Sequence, residues 1–531
     1  MRLSFFSPII FLLFLSCDKQ NKSFSDNIIS SEKELLMVTS LDIFSWINKM
    51  ELSKSTQLSI DQRLMYNTFI SSFDKESMGF DVKKRHKIFV IPETEKLNAG
   101  VFLAGDVTDI NTFQNFLKDY FAVNSFSGSN PTTCYIEEFN VFIGFNEKSF
   151  VAGFSPSNQF AKEKVNSYLS TNFISLENTD LNTYLSQEDD FSFYLSTENL
   201  FKVLDRINNP IVKMQIPNFD QLKNYGSSVS MAVNFNVGDC SISLKSGSND
   251  PINFKLYNAS GVEDKYKYLL TDNDSLVMFG LMNINTESLN DQSLNLRSIG
   301  LLSDLNNILN SFNTDLNELN STVDGQIAFS LIDFPNSLKD IQTNDIYKTD
   351  DDEDYWGDDE FDEFDNTEEF SNEKSIPTLL LNIGLKNQNK IQNIFNKNSI
   401  FVKSDSVIGF SSGIYLLIKE NVLHISTSEN LVNRIKNNGK LNVYGDIDQN
   451  SFREPVYGSI LLNDVNITNG VIKKIFQEYN LKLILSEIQK LTFEASNSEG
   501  TVKVKMKNED QNALKTIISI VLKSRLLETY I

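Results

Sequence analysis

The stretch VSMAVNFNVGDCSISL, residues 229–244, decides the fold once it is set beside LTFEASNSEGTVKVKM, residues 491–506. Cys240, Ile242 and Leu244 alternate with Ser241 and Ser243, as Val502, Val504 and Met506 alternate with Lys503 and Lys505. Period-two alternation marks a strand with one face buried and one solvated. Aligned without a gap, the two stretches place Gly238 on Gly500, which predicts both glycines at the turn of a β-hairpin. The same alignment puts Cys240 where the other copy uses Val502. A free cysteine behaves as a small hydrophobe. Cys240 is therefore expected in a core, and not in a disulfide with Cys134, although an oxidising compartment would permit one.

The echo continues upstream of both hairpins, as an internal repeat should. Phe193-Tyr194-Leu195 leads to a helix with Leu200, Val203, Leu204 and Ile207; Ile460-Leu461-Leu462 leads to Val471, Ile475 and Tyr479. Turns around Asn146-Glu147-Lys148 and Lys419-Glu420-Asn421 each precede a polar-capped helix. In the second, Ser428 is the cap, Leu431 and Ile435 face inward and Gly439 is the stop. Val101-Phe102-Leu103 precedes Ile110, Phe113 and Leu117, just as Leu379-Leu380-Leu381 precedes Ile391, Ile394 and Phe395. The strand ending at Val90-Ile91-Pro92 matches the run from Leu331 to Pro335. The copies open on Leu35 to Val38 and Leu276 to Phe279, each followed by a helical stripe predicted to face a core. Those stripes are Met65, Phe69 and Phe73, then Leu301, Leu305, Ile308, Leu309 and Phe312.

Strand, hairpin and helix alternate with few long helical crossovers, which favours antiparallel sheets over parallel ones. The expected fold is α+β: two internally repeated units, each a mostly antiparallel sheet with helices on one face. The first unit spans residues 34–260 and the second 271–527, with a disordered acidic insertion at 345–375. The last helix carries Leu514, Ile517, Ile518, Val521 and Leu522 at helical spacing, and is expected to pack on the final sheet.

At 531 residues the chain exceeds one core, and 41 Phe and 17 Tyr supply ample apolar volume. A net charge of −22 excludes nucleic acid as a partner, because nothing neutralises a run of phosphates. It also opposes adsorption to anionic lipid.

The amino terminus reads MRLSFFSPIIFLLFLSC, residues 1–17. Arg2, a short apolar run from Leu3 to Leu15 and a small residue before the cut form an export signal, too short for a membrane span. Ser16-Cys17 resembles a lipobox, which makes residues 1–16 a lipoprotein signal peptide and Cys17 the lipidated amino terminus. Two or more acyl chains suffice for stable anchoring, so the membrane is expected as a partner through the lipid anchor only. Residues 17–33 are polar and lack periodicity, and are expected to be a flexible tether.

Taken together, these residues resemble a large family of Bacteroidetes lipoproteins of unknown function. The likeness rests on the lipobox, the opening element from Leu35 to Ile47, the run from Asp324 to Leu331, and the closing hairpin and helix from Leu491 to Leu522. It covers most of the chain from Glu34 onward. The resemblance implies a cell-envelope protein lipid-anchored to the outer membrane, on its periplasmic face or at the cell surface, and implies no catalytic residues.

Chemistry-bearing motifs are sparse. Residues 350–373, DDDEDYWGDDEFDEFDNTEEFSNE, hold fourteen carboxylates and no Lys or Arg. A solvated loop is the ordinary reading of such a charge run, and cation or basic-partner binding the functional one. The EF-hand pattern fails, because Tyr355 stands where Gly is required and Phe361 where the bidentate Glu belongs. Gly409-Phe410-Ser411-Ser412-Gly413 matches a nucleophile elbow, but a strand and not a helix comes after it. Of the two histidines, His424 reads as a structural strand residue, and His86, after Lys83-Lys84-Arg85, as exposed. Gly439-Lys440 lacks the upstream Gly of a P-loop. Asp274-Ser275-Leu276 and Asp405-Ser406-Val407 resemble O-glycosylation sites of exported Bacteroidetes proteins.

The sequence thus points to a non-enzymatic binding or structural protein of the envelope, without cofactors. Its alternatives are a polymer- or divalent-cation-binding module, using the acidic loop or an inter-repeat cleft, and a carboxylate-dependent hydrolase. The partner would be an envelope protein, a glycan or a cation.

Overall fold

A computed structural model describes residues 23–72, 78–81, 84–93, 98–170, 173, 178–206, 227–247, 256–263, 266, 277–287, 321–333, 378–397, 402–404, 407–409, 413–437, 453–462 and 486–523. The chain divides into two compact units, Met1–Phe254 with Asn497–Ile531, and Lys255–Ser496. The expected second unit, 271–527, is therefore corrected: its closing strand and helix belong to the first unit. Pairing with a distant edge decides this, and no local pattern encodes it.

The first unit runs α1 (Phe24–Ser31), β1 (Met37–Leu41), α2 (Ile43–Met50), α3 (Ile60–Ser72), β2 (His86–Pro92), β3 (Ala99–Asp106), α4 (Ile110–Phe121), β4 (Thr132–Ile136), β5 (Val141–Phe145), β6 (Ser149–Phe154), α5 (Asn158–Ser170), α6 (Thr179–Leu185), β7 (Phe191–Ser196), α7 (Thr197–Arg206), β8 (Ser228–Phe235) and β9 (Asp239–Gly247). The second runs β10 (Met278–Asn283), β11 (Val323–Asp333), β12 (Thr378–Leu385), α8 (Gln388–Lys397), β13 (Val402–Ser404), β14 (Val407–Gly409), β15 (Tyr415–Lys419), β16 (Val422–Ser426), α9 (Glu429–Lys436), β17 (Val456–Leu461) and β18 (Ile488–Ala495). β19 (Glu499–Met506) and α10 (Ala513–Lys523) return to the first unit.

Every described pairing is antiparallel, so the α+β class holds. In the first unit the strand order is β4-β5-β6-β3-β2-β1-β7-β8-β9-β19. In the second it is β13-β14-β15-β16-β12-β11-β10-β17-β18. Among the described residues, both paths set the opening strand, β1 or β10, between a neighbour from the following hairpin and a strand from late in the unit.

Helices cover both faces of each sheet, where one face was expected. Val151 of β6 packs with α1, α5 and α6 residues, whereas its neighbour Phe150 packs with Phe113 and Leu117 of α4. Likewise Val422 of β16 joins the cluster holding α9, and Leu423 the cluster holding Ile391 of α8. Strands such as SFVAGF are apolar on both sides and need two covers.

Three further expectations change. Of the expected tether, Phe24–Ser31 form a helix: Ser23 caps α1 through a capping box with Asp26, and Ile28 and Ile29 are fully buried among Val38, Phe89 and Tyr194. Gly238 does lie at its turn with φ +80°, but Gly500 is a strand residue opposite Leu244, and the second turn falls on residues 496–498. Across the pairing with β9, Val504 stands opposite Cys240 and Val502 opposite Ile242. Met65 does not face a core: with Ile60 and Leu64 it is 64–75% exposed. The Phe69 side chain, Phe73 and the stripe from Leu301 to Phe312 lie outside the described residues.

In the remaining helices, α7 buries none of its side chains fully, and Ile207 lies outside the described residues. Helix α9 is capped by Ser428 and buries Ile435, but Val432 is its fully buried residue and Asn437 its C-cap. Gly439 lies outside the described residues. In α10 the buried positions are Ala513, Leu514, Thr516 and Ile520, so Leu514 alone of the predicted stripe is fully covered. Among the described residues no helix is long and apolar enough to cross a membrane.

Candidate functional site

The first unit carries a polar cleft of about 830 Å³. It is walled by the start of α1 (Ser23, Phe24, Asp26), the N-cap of α2 (Asp42), the residues entering β2 (Lys84, Arg85, Lys87), the end of β3 (Asp106) and the segment after α6. Local structure sets each wall. The Ser23 hydroxyl donates to Asp26 Oδ2 at 2.7 Å, while the Asp26 amide donates to Ser23 Oγ at 3.2 Å. This box satisfies the free amides of the first turn. Asp42 Oδ1 accepts the Ser45 amide at 2.8 Å and starts α2 in the same way.

Lys87 is the unusual member. It is 6% exposed, forms an ion pair with Asp26, and donates to the Leu185 carbonyl at 3.3 Å. A buried ammonium is costly unless paired and hydrogen-bonded, and both conditions are met. Nearer the rim, Lys84 pairs with Asp106 at 2.9 Å and Arg85 donates to the Gln187 carbonyl at 2.6 Å. The cleft thus presents fixed charges of both signs. No histidine or cysteine lines it, and the Ser23 hydroxyl is directed at a carboxylate. The arrangement offers charged and hydrogen-bonding groups of both signs to a small polar molecule.

A second carboxylate, Asp190, is 5% exposed and fully engaged. Lys49 reaches both of its oxygens at 2.5–2.6 Å, Ser45 Oγ donates at 2.9 Å and the Phe235 amide at 2.7 Å. This hub ties α2 to β7 and β8, and its occupied oxygens leave no lone pair free for proton abstraction. Beside it lies a smaller cleft of about 470 Å³ between α2 and residues 508–515, lined in part by Asn48, Glu51, Gln511 and Lys515.

His424 is 3% exposed in β16, its Nδ1 2.7 Å from Asn382 Oδ1. Burial, helped by the charge of Lys419, lowers its pKa to about 4. It is a neutral structural residue, as its strand context predicts. His86 is not exposed but half-buried, its ring 6.1 Å edge-on from Phe80; the basic run before it ends at the strand that carries it inward. Cys134 and Cys240 are free, buried thiols, and burial raises their pKa to about 12 and about 11. After Gly409 and Gly413 comes β15, a strand, so the elbow geometry fails.

Cys17, the acidic stretch 350–373, Gly439-Lys440, Asp274-Ser275-Leu276 and Asp405-Ser406 lie outside the described residues. Among the described residues no group of three or more His, Cys, Asp or Glu side chains is placed to hold a metal ion. The cleft around Lys87 escaped sequence reading, since its walls come from segments as far apart as Ser23 and Glu188. The Ser23-x-x-Asp26 spacing was the available signal.

No family model matches the chain, and no curated protein matches it. Among solved structures, three crystal forms of TP0453 align with it. Form III shows 11% identity over 43% of this chain and 82% of TP0453, with a TM-score of 0.24. Form IV shows 8% over 41% and 78%, at 0.24, and form I 9% over 41% and 76%, at 0.23. Scores at this level carry no argument about fold or function.

Proposed function

We propose that the protein is a lipid-anchored cell-envelope lipoprotein that acts by holding a partner or ligand and not by converting a substrate. Its anchor would be Cys17, and its body a duplicated module, a reading supported by the matching strand paths of the two units. Kinship with Bacteroidetes lipoproteins and an outer-membrane location belong to the same proposal.

One observation carries it furthest. Ser23, which opens α1, is also a wall of the larger cleft, and it follows Cys17 by six residues. At ~3.6 Å per extended residue, six residues reach at most about 22 Å. An acylated Cys17 would therefore hold the cleft close to the bilayer, where a polar pocket with fixed charges meets envelope molecules.

The test is Cys17→Ser in the full chain, expressed in a host that processes lipoproteins. The expected result is loss from the membrane pellet, with the amino-terminal segment retained. If the variant still sediments with membranes and is cut before residue 17, the reading fails.

A further inference from the structure

The central strands of the first unit carry their polarity in reverse. In β7 the side chains of Ser192, Tyr194 and Ser196 are buried, whereas Phe191, Phe193 and Leu195 are half-buried. β1 does the same, burying Val38 and Ser40 and leaving Met37, Thr39 and Leu41 half-buried. A strand with one solvated face ordinarily turns hydrocarbon inward and hydroxyls outward. Here the serine face is the dry one, closed by α1, α5 and α6.

Cross-strand partners share a face, so the register extends the wetter face sideways. Phe193 stands between Thr39 and Met231, and Leu195 between Met37 and Val229. On one side Thr39 leads to Ile88, and Met37 through Val90 to Val101 and Phe154. On the other side Met231 leads to Leu244. Ile88, Val101, Phe154 and Leu244 are 39–49% exposed. None of these side chains is charged, in a chain of net charge −22. β1, β7 and β8 are paired along both edges, so their backbone groups are engaged in the ladders. The face therefore offers hydrocarbon, with Thr39 as its one hydroxyl.

Two covers flank it. α4 packs with Phe150, Ala152 and Leu103, and Trp46 of α2 meets Phe235 of β8 edge-on at 5.5 Å. Helix α3 lies in the chain that joins these covers. Its Tyr66 hydroxyl donates to the Ile47 carbonyl of α2 at 3.3 Å, and beyond its end Phe80 lies 5.8 Å from Phe113 of α4. α3 itself leaves Ile60, Leu64 and Met65 exposed. A half-open apolar sheet face and an open apolar helix face thus belong to one region of the unit.

We propose that this region binds one acyl chain of a membrane phospholipid, held between the β7–β8 strands and α3. Hydrocarbon asks for neither a hydrogen bond nor a countercharge, and gains by leaving water. The sheet face is only partly exposed, which admits a slender chain and not the open surface of about 800 Å² that a folded partner covers. The protein's own anchor is not the source, because α1, which follows Cys17, packs on the opposite, dry face. That the lipid comes from a membrane rests on the envelope reading above.

Photolabelling of the full chain tests this. Phosphatidylcholine vesicles carry a phosphatidylcholine with a diazirine in mid-chain, and labelled peptides are mapped after illumination. Label is expected in β7 and β8 as well as α3. Label in α3 without β7 and β8 would mean a helix lying on the bilayer and would overturn the site, as would no label in any of the three. Leu64→Asp should lower the label in β7 and β8 by ~10-fold or more, because a carboxylate against hydrocarbon loses its hydration. Its urea midpoint should match wild type, since Leu64 is exposed. Undiminished label in β7 and β8 of that variant would also overturn the site. Cys17→Ser, mixed with the same vesicles, separates the two readings: label in β7 and β8 upholds the site whether or not the anchor survives its own test.

Discussion

His424 is held neutral by its surroundings, and this gives the second unit a pH dependence of known sign. Its pKa is about 4 when folded, against an ordinary value near 6.5. The unfolded chain therefore binds a proton that the folded chain refuses, and stability falls as pH drops from about 6.5 through about 4. The loss is on the order of 3 kcal/mol at one pKa unit per 1.36 kcal/mol. Urea titrations of wild type and His424→Gln at pH 7, 5 and 4 should show the gap between them narrowing toward acid. A constant gap would mean that His424 carries a proton in the folded state. Cys134 and Cys240 make a second prediction at this scale. Both thiols should resist a thiol reagent at pH 8 in the native chain and react once it is unfolded without reductant, because burial disfavours the thiolate.

At the scale of elements, α1 is the instructive case. FSDNIISS is short and mostly polar, and its Ser- and Asn-rich surroundings resemble a tether. Its hydrophobic contribution is Phe24, Ile28 and Ile29, and the two isoleucines become fully buried. Ile29→Ala should destabilise the first unit by about 2–4 kcal/mol, as large-to-small core changes do. Ser23→Ala should cost about 1 kcal/mol through its cap. If the segment were a loose tether, denaturant melts of both variants would superimpose on wild type. Helix α3 is the converse case: Met65 has a helical neighbour pattern, yet its side chain stays exposed.

For the whole molecule, the separation of the cores matters most. The clusters around Phe89 and Phe113 lie in the first unit, and those around Phe279 and Ile391 in the second. Ile29→Ala should therefore raise hydrogen exchange in β1–β3 and β7 while leaving β10–β12 at wild-type rates. Acid acting through His424 should do the reverse. An identical response in both units to either perturbation would show that they unfold as one body. The two units share a path in which the opening strand lies between a neighbour from the following hairpin and a later strand.

Alternation along a strand, a Ser before a helix and a polar triplet between apolar runs act within a few residues, so the chain itself specified them. The α+β class, most strands, the burial of Cys240 and the absence of a Cys134–Cys240 bond came from that local code. Burial is a relation between segments, and only the folded chain decided it. Tertiary packing drew α1 into the core, set Val504 opposite Cys240, and sent β19 back to β9. It also assembled the cleft around Lys87 from segments that share no local signal. Hydrogen bonds and ion pairs across such distances depend on where sheets end, a quantity that no short stretch of sequence contains.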